Sequence, residues 1–154
     1  MTRKELLVGI FVILAIVGIA IGVKKAKKTP LLPLTLPSPS VVEQIQKTFN
    51  VTIPTDVEKT DLTKVGDMEG VGIATQKWQN GEFTLTILAD LPDPAAGELY
   101  QAWLQKDGGE KIFLGNLRIA KGGYLLDFES TTNYPDYKKV IVATQKANIL
   151  EGSF

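Results

Sequence analysis

From Leu6 to Val23 the chain reads LLVGIFVILAIVGIAIGV, eighteen residues without one polar side chain. A helix that is apolar on every face gains nothing from water, so it belongs in lipid or deep inside protein. At about 1.5 Å per residue the run spans roughly 27 Å, near the short limit for a hydrocarbon core of about 30 Å. Arg3 and Lys4 precede it, and Lys24, Lys25, Lys27 and Lys28 follow. We read residues 6–23 as a single transmembrane helix behind a short tail, residues 1–5. The competing reading is a cleaved signal peptide with Gly18 and Ala20 at its small-residue site, but the apolar run continues past that site. Gly18 and Gly22 make one GxxxG spacing, a weak sign of helix pairing because glycine is common in spans.

The formal charge of the whole chain is zero, and that balance hides two unlike pieces. Residues 1–28 carry six basic side chains and one acid, Glu5, a net +5; the remainder carries eleven basic and sixteen acidic, a net −5. An acidic body lacks the cationic face that displaces phosphate counterions, so no nucleic acid is expected as a partner. The chain has neither Cys nor His. Disulfide frameworks, thiol chemistry, lipidation on Cys, Cys/His zinc sites and Ser-His-Asp machinery are therefore excluded.

Residues 24–40 hold Pro30, Pro33, Pro37 and Pro39, the composition of a semi-rigid extended spacer. Ser40 followed by Glu43 three residues later is a capping-box signature. Val41, Val42, Ile45 and Phe49 then recur at helical spacing. Residues 41–61 read as a short amphipathic helix, ending near Asn50, and a connector. Asn50, Val51 and Thr52 match a glycosylation acceptor, a short pattern that arises by chance.

From about residue 62 the period becomes two. Val71, Ile73 and Thr75 share one strand face. Asn80 and Gly81 form a strong hairpin signal, since both tolerate positive φ. Phe83, Leu85, Ile87 and Ala89 alternate with Thr84, Thr86, Leu88 and Asp90. Tyr100, Ala102 and Leu104 alternate with Leu99, Gln101 and Trp103. Further strands are expected over residues 111–119, 124–128 and 139–146, and a closing one includes Ile149, Leu150 and Phe154. Six to seven short strands with turns every 8–12 residues predict an all-β, antiparallel sandwich over residues 62–154.

Glu98, Leu99, Tyr100, Gln101, Ala102, Trp103 and Leu104 precede a glycine-rich turn. Phe113, Leu114, Gly115, Asn116 and Leu117 follow it, and Val140, Ile141, Val142, Ala143 and Thr144 come later. This set resembles the extracytoplasmic C-terminal domain of anti-sigma-K factors, which shows a Tyr-x-x-Trp strand, a Leu-Gly step and a closing Val-rich strand. The resemblance covers about residues 65–154 and makes Tyr100, Trp103 and Gly115 structural motif residues. It implies a β-sandwich outside the cytoplasmic membrane, behind one span. Two departures stand out. Gln145, Lys146, Ala147 and Asn148 replace the Glu, Gly and Pro usual after the closing strand. Only five residues precede the span, which is too few for the sigma-binding domain that anti-sigma factors place there. The expected protein is the sensor side standing alone.

Orientation carries an internal conflict. The lysines after the span, taken alone, would hold the body in the cytoplasm. The resemblance, together with an acidic, cysteine-free body behind a proline spacer, places it outside. We take the outward reading as the expectation.

Candidate sites follow from the loops. Tyr134, Asp136 and Tyr137 flank a Pro-Asp turn, and loops carry binding more often than strands do. They form the candidate partner-binding site, against a rival reading as a tyrosine plug at a sheet corner. Tyr100 and Trp103, three apart on a strand, face opposite sides, one filling the core and the other covering the opposite face. Trp78, beside the hairpin turn, reads as a cross-strand lid. Asp67 with Glu69, and Asp90 with Asp93, could offer oxygens to Ca²⁺ but match no calcium loop and suit turns. Asp90/Asp93 or Asp127/Glu129 would be the acids of a carboxylate hydrolase. The expected function is a non-catalytic membrane-tethered binding or sensing module without cofactor or metal. Its expected contact is another envelope protein or a surface polymer. A structural spacer and the hydrolase are the rivals.

Overall fold

The computed structural model describes residues 39–154. The tail, the apolar run and nearly all of the proline-rich linker lie outside the described residues. Among the described residues no helix is long and apolar enough to cross a membrane.

Helix α1 (Val41–Phe49) begins at a complete capping box. The Ser40 hydroxyl accepts from the Glu43 N–H at 3.3 Å, and the Glu43 carboxylate accepts from the Ser40 N–H at 3.1 Å. Each bond satisfies a donor that the first helical turn leaves orphaned. Asn50 ends the helix in the left-handed region at φ 52°, a conformation its short polar side chain tolerates. Ile45 and Phe49 are buried against Ile53 and Ile73, with Val41, Val42 and Leu88 partly covered around them. The helix thus seals an apolar strip on the outer face of the sheet.

Nine strands follow among the described residues: β1 (Glu58–Lys64), β2 (Val71–Gln79), β3 (Glu82–Asp90), β4 (Gln101–Gln105), β5 (Lys111–Asn116), β6 (Arg118–Ala120), β7 (Gly123–Ser130), β8 (Lys139–Ala143) and β9 (Asn148–Ser153). They form one antiparallel sheet in the order β5-β4-β8-β9-β1-β2-β3-β7-β6. The two outermost strands, β5 and β6, are separated only by Leu117. A single residue cannot cross the breadth of a flat sheet, so the sheet must curl until its edges meet. Leu117 fixes the corner by donating its N–H to the Tyr100 carbonyl at 2.8 Å.

The architecture is therefore a nearly closed barrel, where the strand pattern predicts a two-sheet sandwich of six to seven strands. Two features account for the difference. β1 buries only Leu62 and carries no visible alternation, and it begins at Glu58, before the point where the sequence places the first strand. The stretch 111–119, expected as one strand, breaks at Leu117 into the two edges of the sheet.

Inside the barrel, Leu62, Ala74, Leu85, Ile87, Ala102, Leu104, Val140, Val142 and Leu150 are almost wholly buried. β9, the last strand, is interior to the sheet, between β8 and β1. Gly152 lets it approach: a Cβ there would lie 2.4 Å from the Asp61 carbonyl oxygen. No side chain fits that gap.

Candidate functional site

The loop between β7 and β8 lies across one mouth of the barrel, at the Phe83 end of β3. A turn forms it: the Tyr137 N–H donates to the Tyr134 carbonyl at 3.1 Å, with Pro135 and Asp136 between. Pro135 presets φ for such a turn, and Asp favours it. The turn aims the two tyrosines in different directions.

Tyr134 points back over the core. Its ring meets Phe83 edge-on at 5.3 Å and Tyr137 edge-on at 5.8 Å, and lies tilted to Phe128 at 6.2 Å. Edge-to-face contacts of this kind add to the burial of each ring. The Tyr134 hydroxyl shares a hydrogen bond with Ser130 Oγ at 3.2 Å. Tyr137 reaches the β4–β5 turn, where its hydroxyl donates to Glu110 Oε1 at 2.8 Å. Lys106 lies over the Tyr137 ring, 5.7 Å from its centre, and pairs with Glu110. Those bonds from Lys106 and then Tyr137 hold the Glu110 carboxyl below the usual range. The same bond to Glu110 raises the Tyr137 phenol. The loop is thus fastened at two points, while Asp136 stays exposed between them.

A cleft opens on each side. One, about 430 Å³, is bordered by Lys106, Asp107, Asp136 and Lys138. The other, about 300 Å³, is at the barrel mouth and brings Tyr134 and Asn133 together with Gln76, Trp78 and Glu58. Trp78, 43% exposed, stands opposite Phe83 in the β2–β3 register and forms part of the wall. Asp56 and Lys77, also lining this cleft, pair at 2.6 Å; that bond holds the Asp56 carboxyl below its usual value. The sequence marks Trp78 only as a lid and is silent on Gln76. Their meeting with the loop is a consequence of strand register, which no local pattern carries.

The motif residues occupy other places. Tyr100 fills the opposite end of the barrel, 1% exposed, and donates to the Pro92 carbonyl at 2.9 Å. Its ring stands 5.0 Å from that of Tyr124, whose hydroxyl donates to Asp93 at 2.8 Å. Trp103 lies half-buried on the outer face, 4.9 Å from Phe113. Gly115 marks a bulge: Ala102 pairs with Gly115 and Trp103 with Phe113, so Leu114 is left out of the ladder. Gly115 takes φ 145°, and a Cβ would press to 3.1 Å from Leu126. The bulge turns β5 toward β7 and helps close the barrel.

Three of the four carboxylates of the hydrolase reading are engaged in the fold, while Glu129 is exposed on β7. Asp90 accepts from Gln44 at 3.2 Å, and Asp93 from Tyr124. Asp127 accepts from Thr86 at 3.0 Å and pairs with Arg118 at 2.7 Å. Glu69 pairs with Lys64. No group of three or more acidic side chains converges as metal ligands among the described residues.

The family described as "Anti-sigma-K factor rskA, C-terminal" matches residues 7–144. The chain belongs to this family. No curated protein and no solved structure gives a match. The anti-sigma-K match starts inside the apolar run and ends at Thr144, directly before the four residues that depart from the family pattern. There Thr144, buried, caps its own turn: its hydroxyl accepts from the N–H groups of Lys146 and Ala147 at 3.3 and 3.4 Å. The anti-sigma-K motif thus has a structural meaning in this chain. Its Tyr plugs one barrel end, its Trp covers the outer face, and its Leu-Gly step is the bulge. The family supports an anti-sigma-factor-like regulatory role.

Proposed function

We propose that the chain is a membrane-anchored, non-catalytic sensing module, with the barrel outside the cytoplasmic membrane and the Tyr134–Asp136–Tyr137 loop as its contact with an envelope partner. The observation that carries this reading is the fastening of that loop. An exposed turn held by aromatic packing on one side and by the Tyr137–Glu110–Lys106 contacts on the other costs little ordering entropy on binding. Family membership supports regulation over catalysis, and the bonded state of Asp90, Asp93 and Asp127 suits structural roles for them. The apolar run supports the anchor, and its inclusion in the family match ties it to the same regulatory architecture.

The test is photo-crosslinking in intact cells from the full chain, with the reactive group placed at position 136 and, as control, at the exposed Lys121. A membrane-fraction product formed from 136 but not from 121, and reduced by Tyr137→Phe, is expected. Equal labelling from both positions, or full recovery of uncleaved chain in the high-salt soluble fraction, would sink the proposal. Protease added to cells with an accessible surface should remove the barrel; complete protection would place it in the cytoplasm.

A further inference from the structure

We infer that the cleft at the barrel mouth is a binding site for a neutral, hydroxyl-rich glycan segment, an inference that rests on the reading of the domain as a binding module and names the class of its ligand. The starting point is Gln76. Its Nε2 donates to Glu58 Oε2 at 2.8 Å. A carboxylate only accepts, so this bond settles which end of the amide is which and turns Oε1 the other way. That Oε1 is buried and has no hydrogen-bond partner among the described residues. A buried acceptor left unpaired costs free energy. This oxygen is closed to solvent in the free protein, so an O–H or N–H donor recovers that cost only as the side chains lining the cleft shift to admit it.

The rest of the lining tells what the donor is attached to. Trp78 gives an exposed aromatic wall beside Tyr134, a surface suited to the flat C–H face of a pyranose ring. Asn133 and Gln76 bring amides, which match vicinal hydroxyls by offering a donor and an acceptor together. Formal charge in the cleft cancels: Asp56 and Glu58 stand against Lys77 and Lys138, and the Asp56–Lys77 pair is already closed. A neutral lining gives no ionic handle for a phosphate, a polyanion or a charged peptide. The cleft's volume, about 300 Å³, is at the small end for a ligand site and suits a few groups of a longer chain. Barrel mouths are a usual place for such sites.

The test uses the full chain in detergent micelles, in a Trp103→Phe background. The chain has two tryptophans, so Trp78 becomes the sole indole reporter. Maltohexaose, cellohexaose, chitohexaose and mannohexaose are titrated as neutral probes, with polyglutamate and a hyaluronan hexamer as charged ones. A saturable change in Trp78 emission with at least one neutral probe, and none with the charged ones, is expected. Gln76→Leu should weaken that binding about tenfold, the loss expected when one buried hydrogen bond is removed, and its thermal melt shows whether the fold is kept. Trp78 is near the surface, so Trp78→Leu, followed by calorimetry, should abolish binding with the melt unchanged. Absence of saturable binding to every neutral probe, or binding that Gln76→Leu and Trp78→Leu leave intact, overturns the inference. If position 136 still crosslinks to a protein while all neutral glycans fail, the binding-module reading stands and the glycan assignment falls. If both fail, the module reading falls with it.

Discussion

Tyr124 sits at the closed end of the barrel, and burial first, then its bond to Asp93, push its pKa up to about 12. Folding therefore favours the neutral phenol. A raised value of this kind contributes stability that is complete below the ordinary pKa of about 10 and is lost as pH rises from about 10 to about 12. Ultraviolet titration should show one of the four tyrosines ionising last, with the unfolding midpoint falling over the same window. Asp93→Asn should lower that last step only part-way, because burial remains. A single shared titration would contradict the assignment. At the other end the sign is reversed. Glu110 has a lowered pKa, so its hold on Tyr137 is present above the ordinary carboxylate value and is lost as pH falls through the lowered one. Ring resonances of Tyr137, followed by NMR on acidification, should shift in that acid range and in no other; Glu110→Gln should erase the transition.

At the scale of elements, α1 depends on its cap more than on its length. Nine residues are too few for a helix to hold in water alone. Ser40→Ala removes the hydroxyl that takes the Glu43 N–H and should cost about 1 kcal/mol in urea unfolding. A cost near zero would show that packing of Ile45 and Phe49 alone seats the helix. β9 depends instead on how closely it approaches β1. Gly152→Ala puts a methyl against a backbone oxygen that cannot rotate away, and overpacking of this sort costs about 1–3 kcal/mol. Gly66→Ala meets no neighbour but is strained by its φ of 89°, so it separates backbone strain from crowding.

For the whole molecule, the position of β9 makes the end of the chain decisive. With β9 gone, β5-β4-β8 would lose its backbone pairing with β1-β2-β3-β7-β6, leaving core packing, Leu117 and the loops to hold the two parts together. Ile149 and Leu150 are also buried, at 4% and 0% exposure. Burying two such side chains is worth roughly 3–6 kcal/mol together, a large share of a typical net stability of about 5–15 kcal/mol. Deleting residues 148–154 should therefore abolish the cooperative melt, by circular dichroism, rather than shift it by a few degrees. A truncated chain with an intact transition would mean that the barrel closes without its last strand.

What the sequence by itself determined is whatever depends on neighbours along the chain. The capping box, the Asn80–Gly81 hairpin, the two-residue alternation of β3 and β4, and the family motif are all local, and each has a residue-level physical cause. That Tyr100 and Trp103 face opposite sides was equally legible from their spacing. Which of them fills the core was decided by the tertiary structure, which buries Tyr100 and leaves Trp103 half-buried on the outer face. Tertiary structure alone decided the closure of the barrel. Leu117 has no special backbone chemistry, and the reason it divides a strand is that the two sheet edges must meet there. β1 escaped notice because one buried leucine makes no pattern, and it forms because β2 and β9 supply its partners. The tyrosine loop was visible as a loop with two aromatics. The cleft beside it was not, because Tyr134 meets Gln76 and Trp78, which share one face of β2, only when β2, β3 and β7 settle in register.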